Sequence, residues 1–232
     1  MLTSSKVIFG APWSARGWSA VDDRVRGGSS ISHLDPIDDG RRARFWGTLD
    51  TKTLGGAGFA SQSYLGRLRL ARSSYAGLEV RYAASTAKEG QPTRFVITLK
   101  QTEPEKRSDG RIESRTSYEY RFDAASTSSS TVTKLALWSD FEPTYRGRAQ
   151  PDAPALDPAQ IRELSVMCRS DFARQEGDFE LFLISISAVS DRANSDSEKA
   201  ASSGWTTRLW VWLRAWYDYL LVRRPRDGHV KL

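Results

Sequence analysis

The stretch Arg42 to Leu49, RARFWGTL, decides the class of fold. Ala43, Phe45, Gly47 and Leu49 alternate with Arg42, Arg44, Trp46 and Thr48, the period of two required of a strand with one buried face. The same alternation recurs along the chain. Leu78, Val80 and Tyr82 alternate with Glu79 and Arg81, while Phe95, Ile97 and Leu99 line one face and Tyr118, Tyr120 and Phe122 another. Phe179 to Ile186 is a nearly continuous apolar run, which predicts a central strand buried on both faces. Turn signals separate these runs: Gly27-Gly28, Asp39-Gly40, Gly55 to Gly58, Asp109-Gly110 and Gly177-Asp178. Together they predict an all-β antiparallel sandwich. Asp157-Pro158, an N-cap residue before a proline at the first helical position, predicts one short internal helix of one or two turns.

The 232 residues are enough for one domain with its own core and an appendage. Hydrophobic residues make up 39% of the chain, a globular composition rather than a disordered one. Cys168 is the only cysteine, which excludes an intrachain disulfide and every multi-cysteine metal site. The net charge of +6 invites a nucleic-acid reading, but its location argues otherwise. Trp205 to Leu232 holds six basic residues against two acidic ones, so the tail carries four of the six charges and the rest is nearly neutral. No nucleic-acid partner is expected.

Ser190 to Gly204 is small, polar and charged, which makes 190–204 a linker between a domain over 1–189 and a tail over 205–232. In the tail, Trp205, Leu209, Trp212, Leu213, Trp216 and Leu220 recur at helical spacing, predicting an amphipathic helix. As a helix, Trp205 to Val222 would be about 27 Å long, short of a roughly 30 Å hydrocarbon core. Arg214 near its middle would cost on the order of 2.5 to 3.5 kcal/mol on insertion. Trp205, Trp210, Trp212, Trp216, Arg223 and Arg224 therefore fit peripheral contact with an anionic membrane, or with a partner, better than a membrane span. Docking on the chain's own sandwich is the competing reading. The first twenty residues lack acids and contain Lys6 and Arg16, as a mitochondrial presequence does. Gly10, Pro12 and Gly17 interrupt any helix there and favour the opening of the folded domain instead.

Little in the chain reads as catalytic. His33 and His229 belong to no recognisable triad, and Gly55 to Gly58 lacks the Gly-Lys-Ser/Thr ending of a phosphate cradle. No cofactor or metal is expected. Asp22 and Asp23 could act as paired carboxylates or calcium ligands. Neighbours on an extended segment face opposite ways, however, so a structural role is favoured, one bonding the Gly27-Gly28 turn and the other an arginine. Arg146 and Arg148 place two guanidinium groups on one loop, where they could grip carboxylates or phosphates, or close an internal ion pair. If both loops lie at one end of the sandwich, Asp22, Asp23, Arg24 and Arg26 join Tyr145, Arg146 and Arg148 in a partner-binding patch. Trp46 and Trp138 could stack on sugars, although single strand aromatics more often pack in or on a sheet.

VDDRVRGGSSIS (Val21 to Ser32), FWGTL (Phe45 to Leu49) and LGGAGFAS (Leu54 to Ser61) together resemble the complex I intermediate-associated protein 30 family. YAGLEVRY (Tyr75 to Tyr82), LWSDFEPTYRGR (Leu137 to Arg148), LDPAQIRELSVM (Leu156 to Met167) and GDFELFLISI (Gly177 to Ile186) continue the resemblance, which spans roughly residues 9 to 189. It implies a galactose-binding-like jelly-roll β-sandwich and a non-catalytic assembly factor or chaperone. Its protein clients would be respiratory complex I subunits or assembly intermediates, and its place the mitochondrial matrix side, free or associated with the inner membrane. A cytoplasmic location is the alternative, since no clear presequence is present. A glycan- or small-ligand-binding module of the same fold is the alternative function.

Overall fold

The computed structural model describes residues 5–84, 90–108, 110, 112–124 and 130–190. The chain separates into two units, Met1–Asp191 and Arg192–Leu232. The expected linker beyond Ser190 and the tail, with Trp205, Trp210, Trp212, Trp216, Arg223 and Arg224, lie outside the described residues.

Thirteen strands form among the described residues: β1 (Ser5–Phe9), β2 (Trp18–Ala20), β3 (Ile31–Ile37), β4 (Arg42–Leu49), β5 (Phe59–Leu68), β6 (Tyr75–Ala83), β7 (Arg94–Lys100), β8 (Ser117–Asp123), β9 (Thr131–Leu137), β10 (Glu142–Tyr145), β11 (Arg148–Ala149), β12 (Ile161–Arg169) and β13 (Gly177–Ser190). One sheet runs β3-β4-β13-β6-β9 with β1 also paired to β13, and the other runs β11-β10-β8-β7-β12-β5-β2. Every pairing in both is antiparallel. The alternation of Arg42 to Leu49 appears directly as burial: Ala43, Phe45 and Leu49 are buried, while Arg42, Arg44 and Trp46 are half-buried on the outer face.

The core fills the space between the sheets. Phe45 and Phe179 of the first sheet meet Phe95 of the second with ring centroids 6.1 and 6.2 Å apart, and Tyr82 meets Phe122 at 5.6 Å. Leu78, Val80, Ile97, Leu99, Leu164, Val166, Leu181 and Leu183 fill the gaps around them. Each such side chain contributes roughly 1.5–3 kcal/mol by leaving water.

Two expectations need correction. β13 is central, but over Gly177–Ile184 only one face is buried, with Phe179, Leu181 and Leu183 inside and Glu180, Phe182 and Ile184 half-exposed. Arg44 pairs with Glu180 at 2.9 Å and Arg42 lies over the Phe182 ring, so cations cover that outer face in place of a second layer. Both faces are buried only from Ser185 to Val189. The short helix is a single 3-10 turn, Pro158–Gln160. Asp157 does cap it, its Oδ1 accepting from the Ala159 N–H at 3.1 Å. The next residue, Ile161, already opens β12, so the backbone turns extended before an α-helical turn can close.

The opening residues are built into both sheets, β1 beside β13 and β2 beside β5. Phe9 sits edge-on to Trp18 and to Tyr64, each at 4.9 Å, and the Trp13 indole donates to the Ile184 carbonyl at 2.9 Å. The acid-free stretch with a presequence-like composition therefore holds the two sheets together. Removing residues 1–20 should lower stability by at least about 3 kcal/mol, the usual cost of losing buried aromatic side chains, read as a lower urea midpoint.

Candidate functional site

Asp22 and Asp23 follow β2, where the chain leaves the second sheet, makes a 3-10 turn over Asp23–Arg26 and enters β3 of the first. That change of direction turns both carboxylates inward; both residues are buried, so neither belongs to a surface patch. Asp22 Oδ1 accepts from Ser32 Oγ at 2.5 Å and from the Ser61 N–H at 2.9 Å, and its Oδ2 from the Ser32 N–H at 3.2 Å and the Arg24 guanidinium at 3.0 Å. Asp23 Oδ1 accepts from the Ser30 N–H at 2.9 Å, and its Oδ2 from Ser30 Oγ at 2.6 Å and the Phe59 N–H at 3.1 Å. Because Ser30 and Ser32 lie at the start of β3 and Phe59 and Ser61 in β5, the pair stitches one sheet to the other. A Cβ on Gly28 would stand 2.3 Å from the Asp23 carboxyl carbon, which is why Gly follows this pair. Arg24 is exposed and Arg26 lies over the Phe59 ring at 5.5 Å.

Tyr145, Arg146 and Arg148 form the β10–β11 hairpin, whose Arg146 and Gly147 have φ of 53° and 77°. Both central residues being left-handed matches the twist of a two-residue hairpin. Arg146 stacks over Tyr145 and donates from Nε to Ser114 Oγ at 3.0 Å, while Arg148 is exposed. Beside it lies an open groove of about 710 Å³ lined by Gln101, Arg115, Tyr145, Gln150, Asp157 and Gln160 among others.

The two motifs do not meet. Phe59 pairs with Arg169, Cys168 with Phe95 and Phe95 with Phe122, whereas Thr144 pairs with Ser117 at the far end of β8. β2 and β10 are also five strand spacings apart, about 24 Å at ~4.8 Å each. Asp22 to Arg26 and Tyr145 to Arg148 thus occupy opposite ends and opposite edges, and no single patch unites them.

The sequence carried no clear signal for two other features. The outward face of β5, β7, β8, β10 and β12 is a polar layer of Ser63, Ser165, Thr98 and Thr144 around two buried glutamates. Glu163 binds Lys100 at 2.7 Å and Arg115 at 2.5 Å; Glu119 binds Arg169 at 2.7 Å, Arg121 at 3.1 Å and Thr144 Oγ1 at 2.8 Å. Burial pushes the Glu163 pKa up, but the Lys100 and Arg115 charges and hydrogen bonds outweigh it and hold the carboxyl below its ordinary 4.5. Cys168 points into the core, where burial, then the Asp171 charge, drives its thiol pKa up.

The second is the β12–β13 turn. Asp171, Phe172 and Ala173 have φ of 45°, 61° and 61°, three consecutive non-glycine residues in left-handed geometry, at roughly 1–2 kcal/mol each. Ala173 N–H to Gly56 O, Arg174 N–H to Ser170 O and Ser170 N–H to Gly58 O fix the turn, as does the Gln175 side chain bonded to the Arg94 and Arg169 carbonyls.

Trp46 and Trp138 pack on and in the sheets, as single strand aromatics are expected to. Trp138 is buried and donates to the Tyr75 carbonyl at 2.7 Å. Trp46 has His33 stacked at 4.5 Å and the Arg44 guanidinium at 4.8 Å, and its indole N–H donates to Asp35 at 2.6 Å. His33 is thereby accounted for, and His229 lies outside the described residues. Among the described residues no group of three or more His, Cys, Asp and Glu could hold a metal ion, and no helix is long and apolar enough to cross a membrane.

The family profile described as Complex I intermediate-associated protein 30 matches residues 7–183. An uncharacterized protein of Schizosaccharomyces pombe is 44% identical over 190 residues, which is 79% of this chain and 83% of that protein. The family 11 carbohydrate-binding module of a Clostridium thermocellum cellulosomal cellulase has a TM-score of 0.52 at 13% identity, over 82% of this chain and 96% of the module. A family 11 module from the same organism, in complex with a β-1,3-1,4-mixed-linked tetrasaccharide, has a TM-score of 0.53 at 13% identity, over 82% of this chain and 97% of the module. At that identity the likeness is one of fold.

Asp23→Ala leaves the Ser30 and Phe59 N–H groups without acceptors and the Ser30 hydroxyl with only the Asp50 carbonyl, so a loss of about 3 kcal/mol or more is expected in chemical denaturation, with Asp23→Asn losing less. For Glu163 the folded pKa lies below the unfolded one. Its contribution is therefore complete above the ordinary value of 4.5 and is lost as pH falls through the folded pKa. Glu163→Gln should lower stability at pH 7 and flatten the acid limb below about pH 4.5, measured as the urea midpoint against pH.

Proposed function

The chain belongs to the Complex I intermediate-associated protein 30 family, and from that premise we propose that it is a non-catalytic assembly factor. It holds a partly built membrane complex, respiratory complex I or a related one, through the loops at the ends of its sandwich. The observation that carries this reading is the fate of the Asp-Asp motif: both carboxylates are buried and spent on hydrogen bonds between the sheets. A carboxylate so used has no face toward a substrate, and a rigid frame with exposed end loops is what client binding requires. The clients are proteins, the place is mitochondrial with cytoplasmic as the alternative, and the tail over 205–232 supplies peripheral membrane or partner attachment. Neither a cofactor nor nucleic acid enters the role.

A second reading, a glycan- or small-ligand-binding module, is favoured by the likeness to carbohydrate-binding modules and by the groove beside Tyr145 with its three glutamines. Against it stands Trp46, whose ring has His33 stacked at 4.5 Å and the Arg44 guanidinium at 4.8 Å. Serines, threonines and internally paired charges occupy the outward face of β5, β7, β8, β10 and β12, where a sugar would need an open aromatic ring.

Cross-linking capture with the full chain from mitochondria should recover complex I subunits, and a glycan array should show no saturable binding. Reversing the hairpin charges with Arg146→Glu and Arg148→Glu should cut client recovery severalfold while the unfolding midpoint holds. Undiminished recovery would exclude the hairpin as the contact. Saturable glycan binding with no complex I subunit recovered would replace the assembly reading with the second one.

A further inference from the structure

We draw no further inference here: the strongest candidate, the surface patch formed by the exposed Phe172 ring on the left-handed turn between β12 and β13 and by Val25 on the neighbouring Asp23–Arg26 turn, carries no proposal because nothing in the structure shows what covers it.

Discussion

Two carboxylates that cannot reach water determine how this sandwich closes. Asp22 and Asp23 sit where the chain crosses from the second sheet to the first, and their acceptor sites are filled from β3 on one side and β5 on the other. A buried carboxylate short of partners costs several kcal/mol, so these bonds act as an address: β3 can lie beside β5 in one register only. Gln62 reinforces the join by donating to the Ser32 carbonyl at 3.0 Å, while the Asp50 N–H donates to Ser30 Oγ at 3.0 Å and holds that serine at the end of β4. Hydrophobic burial supplies most of the stability, but it is non-directional and would tolerate a slipped edge. The carboxylates would not.

With the sheets so joined, charge organises their outer faces. On one, Arg42 and Arg44 lie over Phe182 and Trp46 and reach Asp38 and Glu180. On the other, Glu163 and Glu119 each gather two cations over a bed of serine and threonine. Pairs this well satisfied protect a sheet face without inviting association, because few charges or donors are left for a partner. At the ends of the sandwich the loops carry the exposed Phe172 ring and several guanidinium groups, of which Arg24 pairs with Asp22 and Arg146 bonds Ser114.

The strands were legible in the chain because alternation is a direct imprint of burial: Phe45, Val80, Ile97 and Leu181 are each inside where period two puts them. The Asp157-Pro158 cap was legible too, although its helix stops at three residues because β12 follows at once. β13 was misjudged, since half-exposed Phe182 and Ile184 look the same in a sequence as buried ones when cations lie over them. Gly177-Asp178 marked a turn between β12 and β13, but the left-handed run inside it left no mark. Left-handed residues usually announce themselves as glycine or asparagine, and here the positions hold Asp171, Phe172 and Ala173, fixed by bonds to residues more than a hundred positions away. Nor does a local pattern reveal that Asp22 and Arg146 stand at opposite ends, because that follows from strand register accumulated across five pairings.

The blocks that carry the family resemblance acquire a physical meaning from the carboxylate join. Val21 to Ser32 supplies the two acids and the serines that serve them, and Leu54 to Ser61 supplies the Phe59 and Ser61 N–H groups on the opposite sheet. Gly28 and Gly58 make room for it, since a Cβ on the first would strike the Asp23 carboxyl and on the second would lie 1.9 Å from the Asp50 carbonyl oxygen. Stretches separated by some twenty residues thus answer one packing requirement, which explains why they occur as a set. A motif of that kind specifies a frame and leaves the sequence of the end loops outside its requirement. The Arg146-Gly147 hairpin and the Phe172 turn stand at opposite ends of the sandwich that this join closes, because register carries them apart along β5, β12, β7 and β8.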